Sequence, residues 1–120
     1  MVVRCRKCNI ILSNKLTKLE NNGQLNETDQ QDYIKQGYYY VSDGEFYTLS
    51  ENKIIINKAD LINASNHSNK SRLNGCCGLD GMDGLNKVCK NGHEIATEFS
   101  DCWMPHSVIF EPELITITEN

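Results

Sequence analysis

The chain has 120 residues, a net charge of −4, 39% hydrophobic and 23% charged residues, a balance that fits one soluble globular domain, residues 1–120, with a core of its own. The acidic balance argues against a nucleic-acid footprint, which would present a basic face. No stretch approaches the roughly 18 apolar residues needed to span a bilayer, so no membrane partner is expected.

The segment MVVRCRKCNIILSNK at the start holds basic residues but no apolar run or small-residue cleavage site of a secretory signal. A cytoplasmic, reducing setting is therefore expected. There the six cysteines are ligands or reactive thiols rather than a disulfide framework.

Met1 to Arg4 reads as a short strand running into the turn Cys5-Arg6-Lys7-Cys8, and Ile10-Ile11-Leu12 as a strand leaving it. Residues 13–32 are polar and weakly patterned, with Asn26 suited to cap a short helix towards Ile34 that Gly37 stops. Tyr38-Tyr39-Tyr40-Val41 and Phe46-Tyr47-Thr48-Leu49 are β-favouring runs joined through Ser42-Asp43-Gly44-Glu45. Asp-Gly supplies the positive φ of a tight hairpin turn. Lys53-Ile54-Ile55-Ile56 adds a third strand of a meander, after which Asn57 caps a helical turn over Lys58 to Ile62.

Residues 63–75 read as a surface loop, and residues 75–92, which carry most of the glycines and almost no periodicity, as a second, long one. His93 to Phe99 alternates, with Ile95, Thr97 and Phe99 on one face and Glu94, Ala96 and Glu98 on the other. Ser107 to Phe110 and Leu114 to Ile117 are two more strands, separated by Glu111-Pro112. The sum is a mainly β, loop-rich fold built on a β-meander, with a small α+β fold as the alternative.

Two cysteines with two residues between them fit one tight turn that aims both sulfurs at a single ion. Zinc takes four such ligands, thiolates and imidazoles, in a tetrahedron. Cys5–Cys8 is one half of such a site, and the other half must come from Cys76, Cys77, Cys89, His93 or Cys102. Cys89-Lys90-Asn91-Gly92-His93 suits a second turn best, because its glycine can take a left-handed backbone.

Over residues 4–12 and 88–95 the chain resembles a zinc ribbon whose two knuckles are separated by an inserted sheet, with His93 one position beyond the place of a second cysteine. The resemblance implies a structural Zn2+ on Cys5, Cys8 and Cys89, the fourth ligand coming from Cys77, His93, Cys76 or Cys102. Adjacent cysteines strain if both bind one zinc, so at most one of Cys76 and Cys77 is expected as a ligand. Cys102, beside Trp103, reads as a packed core thiol, and His67 and His106 as surface groups. Arg4, Arg6, Lys7, Lys87 and Lys90 flank the proposed ligands and would offset thiolate charge. The segment GCCGLDG followed by SDCW is also similar to a pattern in small uncharacterised bacterial proteins.

Such an ion would tie the opening turn to the glycine-dense loop and order residues 75–92. The expected function is a non-catalytic protein-interaction module, engaging another protein through the tyrosine-rich hairpin or the metal-ordered loop. A cysteine-dependent enzyme or thiol-redox protein is the alternative, with Cys76 or Cys77 as nucleophile, His93 or His106 as base and Asp101 orienting it. Against it, no helix start follows Cys76-Cys77 to lower a thiol pKa, and the run after Cys8 is not the helix a thioredoxin-type motif requires. A nucleic-acid-binding zinc ribbon is a second alternative, which the acidic charge disfavours. Asp80-Gly81 and Asp83-Gly84 lack the alternating ligands of a calcium loop and read as turns.

Overall fold

Three consecutive isoleucines, Ile54, Ile55 and Ile56, cannot all face one side of a strand, so a strand built from them must be covered on both faces. The computed structural model, which describes residues 1–44 and 51–119, has that arrangement, with all three buried. Its strands in chain order are β1 (Val2–Cys5), β2 (Thr17–Lys18), β3 (Tyr38–Val41), β4 (Ile54–Ile56), β5 (Ala64–Asn66), β6 (Lys87–Cys89), β7 (Glu94–Phe99), β8 (Ser107–Phe110) and β9 (Ile115–Thr118). Seven form one sheet in the order β2-β3-β4-β8-β7-β6-β5, while β1 and β9 pair as a second, two-stranded sheet. The pairings are antiparallel except β2 with β3. Among the described residues the helical pieces are 3₁₀ turns, at Asn22–Gln24, Lys58–Asp60, Lys70–Arg72 and Pro112–Leu114. The fold is mainly β, and none of those turns is long and apolar enough to cross a membrane.

The large sheet carries a core on each face. Ile54, Ile56, Val108 and Phe110 join Val3, Cys5, Leu12, Cys89, Ile95 and Ile115 on one side. Ile55 and Ile109, one residue out of phase, meet Leu19, Tyr33, Ile34, Phe99 and Met104 on the other. The β1–β9 pair therefore covers the first face and supplies Cys5 to it, in the same core cluster as Cys89.

Several sequence expectations need correction. Asn26 starts no helix: its Oδ1 accepts from the Thr28 N–H at 3.0 Å and its own N–H donates to the Tyr33 carbonyl at 2.8 Å. This local bonding competes with helical bonds where an apolar stripe is missing. Tyr39, Tyr40 and Val41 pair directly with Ile56, Ile55 and Ile54; the expected strand Phe46 to Leu49 lies outside the described residues. Residues 63–75 contain β5, invisible to pattern because it is an edge strand whose Ser65 and Asn66 face solvent. Residues 75–92 likewise contain β6, so the long loop is shorter than expected.

The alternation of β7 breaks at a β-bulge. Val88 faces Glu94 and Lys87 faces Ala96, so Ile95 is an extra residue on β7. Ile95 consequently joins Ala96 in the first core while Phe99 enters the second. Ile10 to Leu12 form no regular strand but fold back along β1, with Ile11 bridging Arg4 and the Leu12 N–H donating to the Val3 carbonyl at 2.7 Å. Asn57 caps its turn as expected, its Oδ1 accepting from the Ala59 N–H at 2.8 Å.

Candidate metal centre

Two tight turns at opposite ends of the sequence meet at the edge of the first core. The first leaves β1 at Cys5 and reverses at Asn9, which takes a left-handed backbone at φ 64°, a conformation asparagine tolerates better than most residues. The Asn9 N–H closes onto the Cys5 carbonyl at 2.8 Å, and the Cys5 N–H donates to the Ile10 carbonyl at 2.9 Å. The second turn leaves β6 at Cys89. Its N–H donates to the His93 carbonyl and its carbonyl accepts from the Gly92 N–H, each at 2.8 Å. A Cβ on Gly92 would meet open space, so what the position demands is its φ of 86°. The Asn91 N–H points at Cys89 Sγ from 3.4 Å.

The ligand atoms of Cys5, Cys8, Cys89 and His93 all lie within 4.8 Å of one another. Cys8 Sγ stands 3.7 Å from Cys89 Sγ, and His93 Nδ1 stands 3.7 Å from Cys5 Sγ and 3.4 Å from Cys89 Sγ. A tetrahedron with Zn–S near 2.3 Å and Zn–N near 2.0–2.1 Å has S···S edges of about 3.8 Å and S···N edges of about 3.6 Å. These residues could hold a metal ion. Cys5 and Cys89 are buried, while Cys8 and His93 are half-buried.

Burial pushes the Cys5 thiol up, against the pull of the Cys8 and Lys7 backbone. Cys8 is drawn down to about 6, first by the Asn91 side chain and then by the Ile10 backbone. Three of the flanking cations are engaged elsewhere. Arg4 donates to the Asn9 carbonyl and the Thr118 hydroxyl, Arg6 to the Pro112 and Ile115 carbonyls, and Lys87 to Asn66 with Glu98 beside it. Of the three, Lys87 alone is paired with a carboxylate, so Arg4 and Arg6 keep their charge beside the cluster.

Cys77 does not join this group. It clusters with Cys76 and Cys102, and those sulfurs too lie within 4.8 Å of one another. The organiser is Asp101, 1% exposed, a residue whose sequence signal suggested only an orienting role in catalysis. One carboxylate oxygen accepts from the Cys77 and Cys102 N–H groups at 2.8 Å each. The other accepts from the Cys76 N–H and Trp103 Nε1–H at 3.0 Å each. These donors, led by the Cys77 and Cys76 N–H groups, hold Asp101 well below the usual carboxylate range. Cys102, expected as a core thiol, is half-buried, because its amide is bound into the same ring of donors. Its thiol is pushed up to about 12, chiefly by the Cys77 side chain.

The rest of the long loop is ordered by its own polar contacts. Ser100 Oγ accepts from the Leu79 N–H, the Ser100 N–H donates to the Leu79 carbonyl, and a Cβ at Gly78 would strike the Ser100 carbonyl. Buried Asn86 donates from Nδ2 to the Glu98 carbonyl at 3.0 Å and accepts the Glu98 N–H on Oδ1 at 2.6 Å. Leu79 and Asn86, in the segment expected to depend on a metal for its order, are thus held by contacts of the chain itself.

No protein-family model, curated protein or solved structure matches this chain. Function therefore rests on the chemistry of the side chains themselves. They do not assemble the cysteine–histidine–aspartate relay. His106 Nε2 bonds the Asp101 carbonyl and its Nδ1 faces Lys58 Nζ, both at 2.9 Å, while His93 Nδ1 faces Cys5 and Cys89. Asp101 spends both oxygens on N–H groups. His67, also expected as a surface group, bonds Glu94 Oε2 at 2.9 Å.

Proposed function

We propose that Cys5, Cys8, Cys89 and His93 hold one structural Zn2+ in a zinc-ribbon-like centre, and that the protein is a non-catalytic interaction module. The observation that carries this is the match of the S···S distance of 3.7 Å and the S···N distances of 3.7 and 3.4 Å to the edges of a zinc tetrahedron. Three thiolates and an imidazole saturate zinc, whereas a catalytic zinc keeps a position for water or substrate. With Nδ1 on the ion, the His93 proton resides on Nε2. The ion would clip the turn after β1 to the β6–β7 turn, and its binding energy would be folding energy.

The partner is another protein. Support comes from the half-buried Tyr38, Tyr39 and Tyr40 on β3 and from Trp103, 52% exposed, since tyrosine and tryptophan are enriched where interfaces gain most of their energy. Native mass spectrometry tests the metal: one zinc per chain is expected, lost in Cys5→Ser and Cys89→Ser and kept in Cys102→Ser. A folded protein that is purified without metal and takes up no zinc when it is supplied would end the proposal. A photo-crosslinker at position 40 or 103 tests the partner, and failure to capture any protein from either position would exclude these surfaces.

A further inference from the structure

A second concentration of sulfur lies outside the four-ligand group, and its construction differs in a way that points to a different ion. We propose that Cys76, Cys77 and Cys102 form a second metal site, which takes a soft monovalent ion of the Cu(I) class in three-coordinate sulfur geometry and exchanges it through a solvent-facing side. The donors are all thiols within 4.8 Å of one another, so Cys76 and Cys77, expected to strain if both bound one zinc, already bring their sulfurs together with that of Cys102 in the fold. Asp101, the adjoining carboxylate, has both oxygens committed to N–H donors and offers no hard ligand. Zinc here would have to complete its tetrahedron with water, whereas a soft monovalent ion is satisfied by the three sulfurs alone.

The site is built before any ion arrives. One buried carboxylate gathers the backbone N–H groups of the same three cysteines that carry the sulfurs. The close approach of Gly78 to the Ser100 carbonyl and of Gly75 to the Gly78 carbonyl leaves no room for a side chain at either glycine. Such pre-organisation fixes the donors without help from the metal. Exposure separates the two centres: Cys5 and Cys89 are buried, whereas Cys76 and Cys77 are exposed and Cys102 half-buried. Three thiolates around a monovalent ion carry a net −2, which is sustained where two of the sulfurs face water and salt screens them. A closed, buried centre suits a permanent ion. An open, exposed one suits an ion that is handed on.

The test uses the zinc-loaded protein under anaerobic conditions, titrated with Cu(I) supplied as its acetonitrile complex against the chelator bathocuproine disulfonate. Trp103, the single tryptophan, reports on the site because its indole bonds Asp101 at 3.0 Å. One Cu(I) per chain should bind with zinc retained, and Trp103 emission should fall. Cys77→Ser should weaken Cu(I) binding at least about 100-fold, exceeding the loss on removing an outer-shell partner, and keep one zinc. Cys77 is exposed, so this variant decides the matter even if Cys102→Ser fails to fold. Four results would overturn the proposal: Cu(I) expelling zinc mole for mole, an affinity unchanged in Cys77→Ser, a second zinc bound as tightly as Cu(I), or a disulfide among these cysteines in anaerobically purified protein. The first site's zinc stoichiometry is read independently by native mass spectrometry, so either centre can fail alone.

Discussion

Stripping the ion from the four-ligand centre should remove most of the stability of the fold. A structural zinc contributes about 10–16 kcal/mol at neutral pH, while 120 residues at 0.05–0.15 kcal/mol each amount to a net of about 6–18 kcal/mol. The geometry moderates the loss. Burial pushes the Cys5 thiol up, so in the emptied site it takes up a proton and packs as a neutral group in the first core. Even a net loss of about 5 kcal/mol lowers the melting midpoint by roughly 15–30 °C for a chain of this size. Thermal unfolding by circular dichroism, with and without chelator and with metal content verified by mass, measures it. A metal-free protein melting within about 2 °C of the loaded one would refute the reasoning.

Phe110→Ala, at a fully buried position shared by β4, β7 and β8, should cost about 3–5 kcal/mol in urea unfolding. Gly78→Ala should drive a methyl group into the Ser100 carbonyl and unpin the exposed thiols, shifting Trp103 emission while one zinc per chain remains. Acidification should act in two stages. Zinc affinity weakens first, falling more steeply once the pH drops below about 6, where Cys8 of the metal-free site takes up a proton, and the ion is released at a pH below that. Asp101 follows. Its pKa is depressed in the fold, so its stabilisation is complete above the ordinary value of 3.8 and fades as the pH falls through the lower folded value. Trp103 fluorescence follows the second stage, and Asp101→Asn should abolish that limb.

What could be read from the chain divides by the range of the interactions involved. Cys5–Cys8 announces itself by spacing, and Gly92 marks the left-handed turn that brings Cys89 and His93 together; both are local signals. Strands β3, β4, β8 and β9 follow from β-branched and aromatic runs for the same reason. The partition of the remaining sulfurs was not legible, because Asp101 collects the amides of Cys76 and Cys77 from 25 and 24 residues away. No local pattern encodes that contact. The edge strand β5 needs no apolar alternation, and the Ile95 bulge depends on what β6 presents opposite it. At Asn26 the cap signal was real, but the residues after it supply no stripe to bury.

The four-ligand centre also has a history in time. Its halves are separated by 81 positions between Cys8 and Cys89. At a synthesis rate of 5–20 residues per second, the ribosome exposes the opening pair of thiols for about 4–16 s before their partners exist. During that interval the pair is a two-sulfur lure for any soft metal or oxidant nearby. On the proposed reading, a cell making this chain would gain from keeping free copper and peroxide scarce at the tunnel exit, and from delivering zinc only once the later hairpin has emerged.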